Sequence, residues 1–210
     1  MAGKSSSTKD RVYSELKGRI LNGQYPFGSK LNINAIAAEF NVSNSPVREA
    51  CSRLENDFLI DYSTNSGARV IMMNAQLYHD IADTMSICQQ GAYEYCIRRD
   101  RKSFLLEIMK SALLSVEIAT EAKDKKNTTI SSMIYWNSFI KATGNSYYQA
   151  VSKKIFDLYL LAEIYNHHAI ELDYEAIFTK DAQLLDDVAN DRQSAVTNSI
   201  FAYKVYHIEA

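Results

Sequence analysis

The order of apolar patterns between residues 10 and 72 constrains the fold more than any other feature of this sequence. Residues 10–21 and 33–40 have the apolar spacing of amphipathic helices, and a third such segment follows Ser43. Two β-like segments, 58–62 and 68–72, then flank a polar stretch typical of a turn. We therefore predict two helices, a tight turn, a third helix and a hairpin, which is the layout of a winged helix-turn-helix.

The third helical segment has an apolar face and a polar N-terminal end. Pro46 suits its first turn, where a backbone N–H is not needed. A helix that reads the DNA major groove carries small polar residues and a long cation at this end. Ser43 and Ser45 can bond phosphates, Asn44 can pair with adenine, and Arg48 with guanine or a phosphate. The apolar face consists of Val47, Ala50, Cys51 and Leu54.

Two alternatives remain open for the charged residues of this region. Arg48 and Glu49 can instead form only a surface ion pair with each other. Gly67 in the hairpin turn lets the backbone approach the minor groove, and Arg69 can reach a phosphate. For Arg53 and Arg69, however, an ordinary solvated charge explains the sequence equally well.

Beyond Asn74 the sequence has helical patterns and no convincing strand. We predict a mainly α protein whose C-terminal part is an antiparallel helical bundle. The expected organisation is a disordered tail at 1–9, a winged helix-turn-helix at 10–74 and an effector-binding and dimerisation domain at 75–210. The predicted helices of the bundle span 76–99, 102–123, 127–143, 146–170, 174–189 and 191–208.

Charge and composition exclude several classes of protein. Residues 1–75 contain nine Lys/Arg and seven Asp/Glu, and residues 76–210 contain fourteen and eighteen, which suits a modest DNA contact beside a domain that does not bind DNA. The polar start, Met1–Lys9, does not resemble a secretory signal, and no apolar run is long enough to span a membrane. We therefore expect a cytoplasmic protein.

The three cysteines form no CxxC pair and leave an odd count. This pattern indicates a reducing compartment and thiols used for packing, with a redox switch as the alternative. No spacing of a nucleophile and a base, no phosphate-binding loop and no set of metal ligands is present, so we do not expect an enzyme.

Residues 42–60 resemble the helix-turn-helix signature of the GntR family, V-S-R-T-P-V-R-E-A-L-x-x-L-E-x-x-G-L-I. This chain reads VSNSPVREACSRLENDFLI, and residues 20–31 are similar to the upstream family pattern I-x-x-G-x-x-x-P-G-x-x-L. Two family arginines are missing, because Asn44 replaces one and Asn34-Ala35 replaces a Glu-Arg pair. The resemblance implies an altered base preference and weaker, less salt-dependent DNA binding. The predicted DNA contacts are Asn34, Ser43, Asn44, Ser45, Pro46, Val47, Arg48, Gly67 and Arg69.

The C-terminal part resembles the FadR-type branch of that family, whose helical domain is called FCD. Residues 136–145, WNSFIKATGN, are similar to the F-H-x-x-L-x-x-A-S-G-N of that branch. The resemblance implies a divalent metal held by one Asp and three His. Those places fall at Met133, at Asn137, near 180–181 and near 202–203 and do not match, so we expect no metal and no other cofactor. His167 and His168 point about 100° apart on a helix and would chelate one ion poorly.

A ligand pocket without a metal is still expected in the helical domain. Tyrosine hydroxyls on inner faces need partners, and a polar ligand provides them. The alternative is ordinary core packing with hydroxyls at the rim. The predicted ligand-binding residues are Gln89, Tyr93, Met133, Asn137 and Tyr203.

The resemblance and the residues together predict a sequence-specific DNA-binding transcriptional regulator, with repression as the expected mode. We expect a homodimer on a near-palindromic double-stranded operator and a small organic acid as effector. The alternative is a DNA-binding dimer whose helical domain serves only protein interaction and binds no small molecule.

Overall fold

The computed structural model describes residues 7–63 and 67–202, and the chain divides into two compact units between Met73 and Asn74. The first unit contains α1 (Thr8–Leu21), β1 (Lys30–Leu31), α2 (Ile33–Glu39), α3 (Asn44–Asn56), β2 (Ile60–Ser63) and β3 (Gly67–Val70). The second contains α4 (Ala75–Arg98), α5 (Lys102–Glu121), α6 (Lys125–Trp136), α7 (Ser138–Ala142), α8 (Ser146–His168), α9 (Tyr174–Ala189) and α10 (Gln193–Ile200). The mainly α fold class predicted from the sequence is confirmed.

Helix α1 begins earlier than the apolar pattern predicts. The Ser7 side chain accepts a hydrogen bond from the Asp10 N–H at 3.3 Å and caps the helix, as serine commonly does at this position. Residues 7–9 are therefore capped or helical, although the sequence analysis placed them in a disordered tail. Residues 1–6 of that predicted tail lie outside the described part of the chain.

The core of the first unit forms where one face each of α1 and α3 meet. An ion pair of 2.8 Å between Lys17 Nζ and the Asp57 carboxylate adds a polar link between α1 and the end of α3. Both of these side chains are mostly buried, which makes the link less screened than a surface pair. The packing fixes α3 and leaves its opposite face toward solvent. The fully buried apolar residues are Val12, Leu16, Ile20, Val47, Ala50, Cys51 and Leu54.

The hairpin joins β1 in a three-stranded antiparallel sheet with the order β1-β3-β2. Leu31 lies opposite Ala68, and Ile60 lies opposite Val70. Strand β2 begins at Ile60 rather than at the predicted residue 58, because Phe58 has a φ of 63° after the end of α3. That dihedral lies outside the β region. The strand pair therefore forms a wing that is shorter than the sequence pattern predicts.

The second unit is a helical bundle in which α4 packs against α7 and α8, and α5 packs against α6 and α9. The single helix predicted at 127–143 is interrupted at Asn137, whose ψ of −5° departs from regular α-helical geometry. Helix α10 ends at Ile200, before the predicted residue 208, and residues 203–210 lie outside the described part. Among the described helices, none has both the length and the apolar character that a membrane span requires.

The cysteines lie in both units. Cys51 and Cys96 are buried, Cys88 is partly buried, and all three are free thiols. Burial raises the pKa of Cys51 to about 11, which keeps its thiol protonated and unreactive near neutral pH. These environments fit the packing interpretation of the cysteines better than a redox switch.

Candidate nucleic-acid interface and ligand pocket

The N-terminal end of α3 presents polar side chains to solvent while its back face is buried. Asn44, Ser45 and Arg48 are exposed, and Pro46 in the first turn is partly buried. Val47 has no exposed surface. Its side chain packs into the core beneath α3, so the predicted DNA contact at Val47 is wrong. The other predicted residues of this helix can meet a duplex from one side.

Ser43 occupies the N-cap position of α3 and is exposed. Its backbone is extended, with φ of −73° and ψ of 170°, but its hydroxyl makes no capping hydrogen bond. Within residues 7–63 and 67–202 the hydroxyl has no hydrogen-bond partner. A phosphate oxygen at the helix N-terminus would supply one, because helix N-termini attract anions.

The Arg48 guanidinium is directed toward the wing. Its Nη1 lies 3.4 Å from the Tyr62 hydroxyl of β2, to which it can donate a hydrogen bond. Glu49 instead forms an ion pair with Lys9 at 3.3 Å. Among the described residues, Arg48 and Glu49 therefore do not form the alternative surface pair. No sequence pattern indicates Tyr62, since a strand residue fourteen positions away becomes a neighbour of Arg48 only through tertiary packing.

Asn44, which stands where the family pattern has an arginine, contacts Asn34, which stands at the glutamate of the family's Glu-Arg pair. The Asn44 Nδ2 donates a hydrogen bond of 2.9 Å to the Asn34 Oδ1. Both residues are exposed. The bond joins the first turn of α2 to the first turn of α3. Both carboxamides therefore lie on the surface that the sequence predicts to face DNA.

Two other arginines of the first unit, Arg53 and Arg69, already have partners. Arg69 Nη1 donates a hydrogen bond to the Gly28 carbonyl, so a phosphate contact would have to compete with it. Arg53 pairs with Asp10 at 2.7 Å and lies over the Tyr13 ring at 3.9 Å, which favours a structural role. Gly67 has a φ of 84°, a conformation that glycine adopts without strain. The adjacent turn, residues 64–66, lies outside the described part of the chain.

A cavity of about 440 Å³ opens in the helical unit. Gln89 and Met133, two of the predicted ligand residues, line it. Tyr93 and Asn137 do not line it, because the Tyr93 ring packs edge-on against Phe139 and Asn137 lies between α6 and α7. Tyr203 lies outside the described residues. The lining also includes Tyr78, Thr128, Ser132, Trp136, Tyr159, Glu163, His167, Lys180 and Asp181.

Asp181 is the most deeply buried acid of this cavity, with 1% of its surface exposed. Its carboxylate accepts hydrogen bonds from the Ser132 hydroxyl at 2.7 Å and from the Trp136 indole N–H at 2.8 Å. Burial raises the pKa of Asp181 to about 6, although these two donors and the nearby Lys180 act in the opposite direction. The resemblance implies a family metal ligand near residues 180–181, but no sequence pattern indicates that Asp181 itself is a pocket residue.

Asp181→Asn should flatten the loss of stability between pH 4 and pH 6. Folding raises the pKa of Asp181 from 3.8 to about 6. The protonated side chain therefore stabilises the folded state fully below pH 4, and this stabilisation is lost as the pH rises through 6. The difference corresponds to about 3 kcal/mol in the free energy of unfolding. Urea unfolding of both proteins at pH 4, 5, 6 and 7 measures it. Parallel pH profiles would contradict the assigned protonation.

A second buried acid, Glu163, is held in a hydrogen-bond network. The Tyr78 hydroxyl donates to one carboxylate oxygen at 2.5 Å, and His167 Nε2 lies 3.1 Å from the other. Burial alone would raise the pKa of Glu163, but His167, Tyr78 and Tyr159 together lower it below its usual value. His167 Nδ1 also lies 2.8 Å from the Thr129 hydroxyl. His167 therefore lies in the last turn of α8 and forms part of the cavity wall.

The family-type metal site does not fit these residues. At the positions that correspond to the family's metal ligands, Met133 and Asn137 are poor ligands for a hard divalent ion. The Asp181 carboxylate already accepts two hydrogen bonds. In the described ranges, no three His, Cys, Asp or Glu side chains are grouped so that they could hold an ion.

Comparisons with known proteins agree with this arrangement. Residues 8–70 match the family model of bacterial regulatory proteins of the gntR family. The gluconate operon transcriptional repressor of Bacillus subtilis (strain 168) is 28% identical over 197 residues, which cover 86% of this chain and 79% of that protein.

Solved structures have the same fold over nearly the whole chain. E. coli McbR/YncC aligns with a TM-score of 0.74 at 15% identity and covers 93% of this chain and 92% of its own. A transcriptional regulator GntR from Rhodococcus sp. RHA1 aligns with a TM-score of 0.70 at 17% identity and covers 91% of both chains. Residues 8–70 therefore form a DNA-binding unit of the gntR family of bacterial regulatory proteins, and most of the chain is similar to a transcriptional repressor.

Proposed function

We propose that the protein is an operator-binding repressor of the FadR-type branch, that its helical unit dimerises and responds to a small effector, and that it acts in the cytoplasm without enzymatic activity. The observation that carries the proposal is the N-terminal end of α3. There Asn44 and Arg48 are exposed above a fully buried apolar face. Such a helix can enter the major groove with its side chains toward the base edges.

A homodimer would present two such helices to the half-sites of a near-palindrome. We assign the contact to the α4–α8 face, defined as Ile87 on α4 with Tyr147 and Val151 on α8. Their exposed fractions are 64%, 86% and 71%. The Tyr148 hydroxyl donates a 2.5 Å hydrogen bond to the Cys88 carbonyl, which fixes the two helices at this level. A second copy covering this face would remove three large apolar side chains from water.

The cavity of the second unit is the proposed effector site. The Thr128 hydroxyl is buried there without a hydrogen-bond partner among the described residues, and a polar ligand would satisfy it. Lys180, which lies over the Trp136 ring at 5.6 Å, is the cation that would bind the carboxylate of an organic acid. Gluconate is the first probe, since the B. subtilis relative is named for the gluconate operon.

A specific observation also favours the alternative function of the helical unit. Leu114 and Ile118 stand one turn apart on α5 with 60% and 68% of their surfaces exposed. Apolar residues at this spacing form a stripe that a protein partner can cover.

Sequencing of DNA fragments selected by the purified protein, with and without gluconate, tests the proposal. We expect a motif with two-fold symmetry and weaker recovery of it when gluconate is present. Recovery of fragments without a common motif would contradict the DNA-reading role. A motif that no tested organic acid affects, together with unchanged thermal stability, would favour the protein-interaction alternative.

A further inference from the structure

The contact between Asn34 and Asn44 determines which hydrogen-bonding atoms α3 offers to a duplex. A carboxamide has one acceptor oxygen and two N–H donors. Asn44 commits one N–H to the Asn34 Oδ1 at 2.9 Å. Within the described residues, the Asn44 Oδ1 accepts no hydrogen bond. The group therefore keeps one acceptor and one donor for an outside partner.

This remaining pair of atoms matches adenine and not guanine. In the major groove adenine offers an acceptor at N7 and a donor at its N6 amino group, whereas guanine offers acceptors at both N7 and O6. An edge with one donor and one acceptor can form two hydrogen bonds with adenine. Against guanine the Asn44 Oδ1 would face O6, and two acceptors repel each other.

The contact with Asn34 limits the orientations that the Asn44 carboxamide can adopt. If the group were rotated by 180°, its oxygen would lie against the Asn34 Oδ1, and the hydrogen bond would be lost unless Asn34 also rotated. Asn34 thus restricts an exposed side chain that would otherwise sample both orientations. A side chain ordered before binding loses less entropy when it binds.

We propose that Asn34 is a positioning residue that orients the Asn44 carboxamide so that α3 selects adenine over guanine at one base of each half-site. For the other N–H and the oxygen to meet adenine together, Asn34 must accept the Asn44 N–H that points away from the Asn44 Oδ1. The proposal rests on the proposed function, because it requires α3 to lie in the major groove. It assigns to Asn34 an influence on the base preference that Asn44 has at that position.

The test measures binding of the full-length protein to its selected operator and to operators in which each adenine is replaced by guanine. We expect wild type to bind the adenine operator about 10- to 100-fold more tightly at one half-site position. Asn44→Ala should lose that preference at that position alone. Asn34→Ala should reduce the preference several-fold while binding to unrelated DNA stays the same.

The variant Asn34→Asp shows whether Asn34 orients the Asn44 carboxamide or only contributes to the local structure. A carboxylate only accepts hydrogen bonds, so it holds Asn44 in the proposed orientation while its charge weakens binding to every sequence. We expect the adenine preference to persist in Asn34→Asp at lower overall affinity. Asn56→Ala, at the far end of α3, is the matched control and should leave both quantities unchanged.

The failures of the two proposals can be distinguished. If the protein selects a motif but prefers guanine at the position that depends on Asn44, the proposed orientation is wrong. A motif with no position sensitive to Asn44→Ala, or an Asn34→Asp variant that accepts guanine as readily as adenine, overturns the inference equally. If no motif is selected at all, the proposed function itself fails.

Discussion

Arg48→Ala should lower affinity for the selected operator by roughly 100-fold or more while leaving the fold intact. An arginine that makes a bidentate contact with guanine contributes about 1–3 kcal/mol, and a dimer makes the contact twice. Arg48 is exposed and its contact within the described chain is the long one to Tyr62, so its removal costs little stability. Gel-shift titration against the operator and an unrelated duplex measures the effect, and circular dichroism checks the fold.

Two matched variants show whether Arg48 reads bases or only contributes charge. Arg53→Ala removes a cation from the same helix, but that guanidinium is held by Asp10 and Tyr13, so we expect a reduction of less than about 5-fold. Arg48→Lys keeps the charge and loses the planar fork, so binding to unrelated DNA should persist and the preference for the operator should fall. Unchanged operator affinity in Arg48→Ala would refute the assignment of α3 as the reading helix.

Val151→Glu should convert a dimer into a monomer at micromolar concentration and thereby weaken operator binding. A carboxylate buried in an apolar contact loses its hydration without gaining a partner. Linking two reading heads increases affinity by about 10²–10⁴-fold through effective concentration, and a monomer forfeits this increase. Multi-angle light scattering gives the mass of the particle, and the same gel-shift titration gives the affinity.

Ile118→Glu provides the control for this experiment. Ile118 is an apolar helix residue with nearly the same exposed fraction, 68% against 71% for Val151, but it lies on α5 rather than on the α4–α8 face. We expect it to remain a dimer and to bind the operator like wild type. The reverse result, with Ile118→Glu monomeric and Val151→Glu dimeric, would transfer the dimer contact to α5.

Local patterns of the sequence were sufficient to predict most of the elements. The helical period at Val12, Leu16 and Ile20 correctly indicated the buried face of α1. Boundaries were less accurate where a single dihedral angle decides them, as at Phe58 before β2 and at Asn137 between α6 and α7. The spacing of apolar residues is a property of several residues together, so it does not indicate the backbone conformation of a single residue.

The candidate sites divide in the same way. Asn44 and Arg48 are exposed at the N-terminal end of α3, as the sequence predicts for residues that would contact DNA. The sequence also included Val47 in that set, although its fully buried side chain excludes it. Among the predicted ligand residues that the structure describes, Gln89 and Met133 line the cavity and Tyr93 and Asn137 do not. The acids of the cavity were not predicted.

The order of the elements, the faces that become core and the family signature depend on residues close together along the chain, so they can be predicted from it. The hydrogen bond of Asn44 to Asn34, the approach of Arg48 to Tyr62 and the burial of Asp181 beside Trp136 arise only in the folded protein. Hydrogen bonds and burial of this kind require elements distant in sequence to meet at about 3 Å. The packing of several helices at once sets that distance.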